Sequence, residues 1–308
     1  MRASFRRLFN GGRGGSLITA VVLLCLLING GIAEDAPGSV RVSYLGPEGT
    51  YTQEAARFFF DGEETLIPRD TVSLAVSDVL SGDSDFAVIP QENTVGGPVA
   101  NYLDVLISAE GIYVVGEIVI PISQTLMGIP GAVPDDIKTV CSHAQGLAQS
   151  AQWRAVHLPE AAAVEMPSTA AAASYVAQRQ DRSVAAVAAP GAAELYGLEV
   201  LAENVQITDA NKTRFYVLAG APLDGEGLTR AVFIITCGAE RIDDVIVAIH
   251  GTGLELVALH DRPEGSALGE YHFVIECENV NGVTGEQIAA VSGLQGVRFL
   301  GCFNAAEK

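Results

Sequence analysis

The chain has 308 residues, of which 49% are hydrophobic and 18% charged, with mean hydropathy +0.30 and a formal net charge of −19. That apolar fraction excludes an intrinsically disordered protein, and the length exceeds what one hydrophobic core readily fills, so two or three compact units are expected. Only 18 basic residues stand against 37 acidic ones. No basic run follows the first thirteen residues, which argues against a nucleic-acid partner and requires any anionic ligand to be held by a few local positive groups.

Residues 1–33 read as an export signal. Arg2, Arg6, Arg7 and Arg13 precede an apolar run over 17–28, and the small-x-small site Gly31-Ile32-Ala33 stands before Glu34. Twelve apolar residues are short of the roughly 20 that span a bilayer as a helix, so a cleaved signal leaves no stable membrane anchor and a periplasmic or secreted protein. An uncleaved anchor, or a true start nearer Val40 and a cytoplasmic protein, are the alternatives. The pair Arg6-Arg7 resembles a twin-arginine signal. Cleavage removes Cys25 and leaves Cys141, Cys237, Cys277 and Cys302, whose spacing suggests neither a metal nor a redox motif. Buried free thiols are expected rather than disulfides. The histidines form no metal-ligand pattern.

From residue 40 to about 222, short apolar strands alternate with alanine-rich helices. Strands are expected over 40–45, 85–89, 112–118, 123–129, 138–142, 163–166, 184–188 and 214–218. Helices are expected over 52–60, 98–108, 144–154, 169–178 and 192–196. Thr50 and Gln53 have capping-box spacing. Such alternation argues for α/β units with parallel sheets, whose ligands sit beyond the carboxyl ends of the strands. After a glycine-rich joint at 223–227 the pattern changes to strand 229–236, helix 241–250, strands 254–260 and 271–278, a helix capped by Thr284 and Gln287, and strand 297–303. This βαββαβ order over 228–308 is the ferredoxin-like plan.

Four loops set glycines and hydroxyls directly after a strand: 44–53 (YLGPEGTYTQ), 85–97 (DFAVIPQENTVGG), 142–149 (SHAQGLAQ) and 167–173 (PSTAAAA). Free N–H groups and the dipole at a helix start bind carboxylates without a basic residue. Ordinary capping explains any one loop, but four in one domain point to a convergent anion pocket. Gly49, Thr50, His143, Gln145, Ser168 and Thr169 are its candidate binding residues. A fifth segment, 208–218 (TDANKTRFYVL), adds Asn211, Lys212, Thr213 and Arg214 at a strand start. In so acidic a chain the Lys/Arg pair is a local counter-charge, and arginine suits bidentate carboxylate binding; a charged strand edge is the alternative.

Together, YLGPEGTYTQEAA, IPQENTVGG, SHAQGLAQ and NKTRF resemble the prephenate dehydratase family, in order and over about residues 41–303. The resemblance implies a catalytic domain of two α/β lobes, similar to periplasmic binding proteins, with the active site in the cleft. It also implies a C-terminal ACT domain that senses phenylalanine, and a homodimer or homotetramer. The family's threonine–arginine–phenylalanine motif falls on Thr213, Arg214 and Phe215. Its acidic–asparagine–hydroxyl motif falls on Glu92, Asn93 and Thr94, with threonine where serine is usual.

The implied substrate, prephenate, is a dicarboxylate whose ring loses hydroxide from one carbon and CO₂ from the opposite one. Aromatisation drives the reaction, so the enzyme mainly orients the dianion and assists the departing hydroxyl. Thr213 is expected to donate a hydrogen bond to that oxygen, aided by polarising neighbours. Arg214 is expected to clamp a carboxylate and Phe215 to wall the ring, with His143 and Glu92 as alternative proton donors. No metal or organic cofactor is required. Where effector-responsive relatives carry glycine-alanine-leucine and glutamate-serine-arginine-proline motifs, this chain has Gly238-Ala239-Glu240 and His260-Asp261-Arg262-Pro263. Gly238, Ala239, Arg262 and Pro263 remain the candidate effector residues, and weak or absent phenylalanine inhibition is expected. Arogenate is the rival substrate. A solute-binding protein without catalysis is the rival class, which has no need of NKTRF with IPQENT or of a C-terminal βαββαβ unit.

Overall fold

The computed structural model describes residues 39–62, 64–208, 210–223 and 227–307; the predicted export segment and Cys25 lie outside them. Three sheets organise the described residues. The first lobe begins with β1 (Arg41–Leu45), α1 (Tyr51–Phe60), β2 (Thr65–Arg69), α2 (Val72–Ser81) and β3 (Phe86–Asn93). It continues with β4 (Gly97–Pro98), α3 (Ala100–Ser108) and β5 (Tyr113–Pro121). The chain then crosses to a second lobe, made of β6 (Thr125–Gly128), β7 (Thr139–Ser142), α4 (Ala144–Gln149), α5 (Ala151–His157) and β8 (Ala162–Glu165). α6 (Thr169–Arg179), β9 (Val184–Ala188), α7 (Gly191–Tyr196) and β10 (Glu199–Ala202) complete that lobe. It returns as β11 (Lys212–Ala219), which enters the first sheet between β3 and β5.

Both lobe sheets are mixed rather than parallel. β1 pairs in parallel with β2 and β3, but β11 runs antiparallel to β3 and β5 because it arrives from the opposite lobe. In the second lobe β7 is parallel to β8 and β9, while β6 and β10 are antiparallel. The helix expected over 144–154 is divided at Ser150, whose hydroxyl donates back to the Gly146 carbonyl at 2.8 Å, a bond that bends helices. The helix expected from residue 98 starts at Ala100, since Pro98 pairs with Glu92 in a short strand. Only half of the Thr50 capping box forms: Thr50 accepts from Gln53 N, but the Gln53 side chain accepts from Gly49 N at 2.6 Å.

The C-terminal unit is β12 (Arg230–Gly238), α8 (Ile242–Gly251), β13 (Glu255–Pro263), β14 (Glu270–Glu278), α9 (Gly285–Ser292) and β15 (Val297–Phe303), with antiparallel sheet order β13-β14-β12-β15. Thr284 and Gln287 form a complete capping box at α9. One sheet face packs with Val245, Ile249 and Val291 from the helices. The other packs directly on the first lobe, where Val232, Val274 and Phe303 share a core with Tyr102, Val114 and Tyr216. A last strand, β16 (Ala305–Glu307), joins the first lobe's sheet beside β5. Cys141, Cys237, Cys277 and Cys302 are buried free thiols, as expected, and burial pushes Cys302 up to about 12.

Candidate active site

β3 ends where β11 begins, so Asn93 pairs with Thr213. Side chains alternate along a strand, and Asn93 and Thr213 face the crevice between the lobes. The Asn93 amide is the hub of the site. Its Nδ2 donates to Thr213 Oγ1 at 2.9 Å, to Asn211 Oδ1 at 2.7 Å and to the Lys212 carbonyl at 3.2 Å. Its Oδ1 accepts from the Val95 and Gly96 amides at 3.0 and 2.9 Å, and from Gln145 Nε2 of the second lobe at 3.0 Å. Gly96 lets this crossing come close, since a Cβ there would lie 2.9 Å from Gln145 Nε2 and push that amide aside. Thr213, 8% exposed, thus has its oxygen occupied as an acceptor, which leaves its O–H to donate and strengthens it as a donor.

A second crossing joins the lobes at the mouth of the crevice. The Tyr196 hydroxyl donates to the Glu48 carbonyl at 2.8 Å, and Gly49, at φ 81°, lies where a Cβ would come within 3.2 Å of the Tyr196 ring. Thr50 caps α1 next to this turn. In the second lobe, exposed His143 caps α4 through a 3.3 Å bond from Gln145 N, and Ser168 caps α6 by accepting from Ala171 N at 2.9 Å. Thr169 adjoins α4 at Gly146. Behind Gln145 lies a cavity of about 170 Å³ lined by Val95, Gln145, Gln149, Thr208 and Asn211 among others. Asn211 is 1% exposed, and its Nδ2 has no hydrogen-bond partner among the described residues.

The structure does not bring every motif residue to this crevice. Glu92 and Arg214 pair across β3 and β11 and face away from it, toward the C-terminal sheet. There three carboxylates hold the Arg214 guanidinium: Glu92, Glu117 and Glu276. A guanidinium so occupied is not available to clamp a substrate carboxylate, and the Glu92 carboxylate is directed to Arg214 at 3.4 Å rather than to Thr213. Phe215, 2% exposed, packs with Tyr44, Phe59 and Ile118 in the core under α1, beneath the crevice floor rather than on its wall. Thr94 is structural: its hydroxyl donates to the Ala210 carbonyl and accepts from Lys212 N, each at 3.0 Å.

The candidate effector turn is likewise engaged. Ala239 N donates to the Gly269 carbonyl at 2.8 Å, and a Cβ on Gly238 would fall 2.4 Å from the Glu240 carboxylate. Arg262 makes a two-point ion pair with Asp104 of α3, at 2.6 and 3.0 Å, and Pro263 ends β13 beside it. Gln149, Thr208 and Tyr196 carry no local signal as site residues, apart from the helical spacing of Gln149 after Gln145 within α4. Among the described residues no cluster of His, Cys, Asp and Glu is arranged to hold a metal ion, and no helix is long and apolar enough to cross a membrane.

The family model for prephenate dehydratase matches residues 42–222. Prephenate dehydratase of Amycolatopsis methanolica is 35% identical over 278 residues, covering 87% of this chain and 89% of that protein. The bifunctional chorismate mutase/prephenate dehydratase of Neisseria gonorrhoeae is 32% identical over 78% of this chain, which spans 66% of that protein's length. Arogenate dehydratase 5 of Arabidopsis thaliana is 39% identical over 73% of this chain and 54% of its own length. The crystal structure of prephenate dehydratase from Arthrobacter aurescens in complex with L-Phe superposes with TM-score 0.76 at 30% identity, covering 86% of this chain and 90% of that one. A family match over more than half the chain, carrying the loops that meet around Asn93 and Thr213, makes this chain a member of the prephenate dehydratase family.

Proposed function

We propose that the chain is a decarboxylating carbon–oxygen lyase that converts prephenate to phenylpyruvate, CO₂ and water, as a step toward phenylalanine. The observation that carries this reading is the Thr213 hydroxyl, oriented by Asn93 at a point that Gln145 closes from the other lobe. The bond from the ring to its carboxylate breaks, its electron pair aromatises the ring, and the opposite C–O bond releases hydroxide, which takes up a proton to become water. Thr213 donates to that oxygen as its charge grows, the moment at which a fixed donor lowers the barrier. A threonine hydroxyl stays protonated at neutral pH, so the proton comes from solvent or from His143 at the start of α4. The N-termini of α1 and α6, capped by Thr50 and Ser168, supply the partial positive charge for a dianion in an acidic protein.

Thr213→Ala should lower kcat by roughly 10²–10³ with the fold intact, the usual cost of removing one such donor. Unchanged turnover in that variant would overturn the role. Arogenate is the second reading, favoured by the plant relative and by Gln145 in the cavity wall, since an amide can accept from an ammonium through its oxygen as well as donate to a keto oxygen through its nitrogen. Incubation with each substrate, following phenylpyruvate and phenylalanine, separates the two. A solute-binding protein would bind prephenate and return it unchanged.

The C-terminal βαββαβ unit is read as an ACT domain with weak or absent response to phenylalanine, because Glu240 sets a carboxylate over Gly238 and Arg262 is committed to Asp104. Calorimetric titration that finds micromolar phenylalanine binding would refute this. A homodimer or homotetramer is expected and is measured by sedimentation; export is tested by cell fractionation.

A further inference from the structure

The face of β11 turned away from the crevice ends in a buried ionic cluster built by two parts of the fold. The first lobe contributes Glu92 on β3, Glu117 on β5, and Arg214 and Tyr216 on β11; the C-terminal sheet contributes Arg230 on β12, His260 on β13 and Glu276 on β14. Arg214 Nη2 donates to both carboxylate oxygens of Glu276, at 2.9 and 2.8 Å, and to Glu117. Glu276 is 1% exposed and also accepts from the Tyr216 hydroxyl at 2.9 Å and from Arg230 Nη1 at 2.8 Å. The Tyr216 hydroxyl in turn accepts from Gln91 Nε2 at 2.9 Å. Gln91 is the residue that β3 bulges out of register, between the pairings of Arg214 with Glu92 and of Phe215 with Pro90.

We propose that Glu276 is a positioning residue for the reaction at Thr213: the C-terminal sheet sets the catalytic hydroxyl by gripping the side chain of the next residue along the strand. The inference rests on the dehydratase reading above. A buried carboxylate is stable only with its partners in place, and here every partner of Glu276 but Arg230 belongs to β11. Two of them, Arg214 and Tyr216, lie on the face of β11 opposite Thr213, and Tyr216 also anchors the bulge of β3 two residues before Asn93. Glu276 therefore holds both strands whose ends carry Thr213 and Asn93. The C-terminal sheet is a firm support for this grip, since Val232, Val274 and Phe303 pack it against the first lobe. Without Glu276, Arg214 is drawn toward Glu117 and Glu92, and β11 rotates with it. A displacement of an ångström at a reacting group costs on the order of 10²-fold in rate.

The test is steady-state kinetics of the full chain with prephenate, and with arogenate if prephenate is not consumed. Glu276→Gln should lower kcat about 10- to 100-fold with KM within about threefold, because the loss falls on a contact made in the transition state. Glu276→Asp, which keeps the charge, should restore part of that loss. Tyr216→Phe, which removes one hydroxyl at constant shape, should lower kcat in the same sense and serves if the Glu276 variants do not fold. Asp104→Asn releases the exposed ion pair to Arg262 between the same two units and should leave kcat unchanged, separating positioning from loosened docking. Wild-type kcat in Glu276→Gln, or in Tyr216→Phe where that stands in, would overturn the proposal. So would a rise in KM alone, or an equal loss in Asp104→Asn. A wild-type chain inert toward both substrates would overturn the dehydratase reading itself, whereas an active one with unaffected variants overturns only the role of Glu276.

Discussion

Asn93→Asp replaces one NH₂ by oxygen and inverts half of the hub. The three groups that Nδ2 serves, Asn211 Oδ1, the Lys212 carbonyl and Thr213 Oγ1, then face an acceptor at 2.7 to 3.2 Å. Two groups can answer: Asn211, by flipping its amide so that its unpaired Nδ2 donates, and Thr213, by turning its own O–H toward the new carboxylate, in which state it is lost as a donor to the departing hydroxyl. The bonds from Val95, Gly96 and Gln145 persist, so the loop and the interlobe contact stay formed. Losing the donor should lower kcat by roughly 10²–10³ at pH 7.5. The lost hydrogen bonds, worth about 1 kcal/mol each, should cost up to about 3 kcal/mol of stability. A carboxyl among acceptors in a confined site is held above the ordinary range near 3.9, and its protonated form regains a donor. Its contribution to stability is therefore present at low pH and lost as pH rises through the raised value, and activity relative to wild type should climb as pH falls. Initial rates of phenylpyruvate formation and thermal melts, both measured from pH 8 to 5, check the two slopes. Turnover within threefold of wild type at pH 7.5, or a ratio that does not rise on acidification, would refute the role of the amide as the orienter of Thr213.

Glu117, 4% exposed, is pushed up to about 7 from the usual 4.5 by burial and by Glu276. The folded chain holds that proton to higher pH than the unfolded one, so stability from this group is complete below pH 4.5 and lost toward pH 7, by at most about 3 kcal/mol. Glu117→Gln should flatten that slope in denaturant titrations; an unchanged slope would reject it. Gly301 sits at φ 133° with a would-be Cβ 2.2 Å from the Val114 carbonyl, where the C-terminal sheet meets β5. Gly301→Ala should cost about 2–4 kcal/mol by urea unfolding. Tyr196→Phe removes the bond to the Glu48 carbonyl but keeps the ring on Gly49, so KM should rise roughly fivefold, the worth of about 1 kcal/mol, with kcat little changed.

Much of the fold was written in local pattern. The strands over 184–188 and 297–303 fall where the apolar runs are, and Thr284 with Gln287 marks the start of α9 because a capping box is a contact within one turn. β2 and β10 have weak local patterns because Pro68 interrupts the first and the second is only four half-exposed residues; α2 has apolar spacing but no run long enough to stand out. For the site, sequence grouped the right segments and missed which face each side chain would take. Arg214 and Thr213 are adjacent in the chain and so point to opposite faces of β11, and only the partner strands decide which face is the crevice. Glu117 and Glu276 lie 97 and 62 residues from Arg214, a separation that no local pattern carries.

That alternation also explains how a chain of net charge −19 can receive a dianion. The strongest cation near the site, Arg214, is spent on holding three carboxylates on the far side of the strand, and the crevice side presents amides, a hydroxyl and helix N-termini. Neutral donors release a monoanionic product more readily than a fixed guanidinium pair would, because one carboxylate has left as CO₂ and a neutral donor holds the other less strongly than a guanidinium does. The arrangement predicts a modest salt dependence of KM, since dipoles at a helix end act over one turn while full charges act over a Debye length of about 10 Å at 0.1 M salt. Raising ionic strength from 0.05 to 0.5 M should therefore lower KM or leave it unchanged, as screening of the surrounding acidic surface offsets any loss at the helix ends. A KM that climbs tenfold over that range would mean that a full positive charge, from Arg214, Lys212 or a protonated His143, holds the substrate, and would refute the account of a site built on neutral donors.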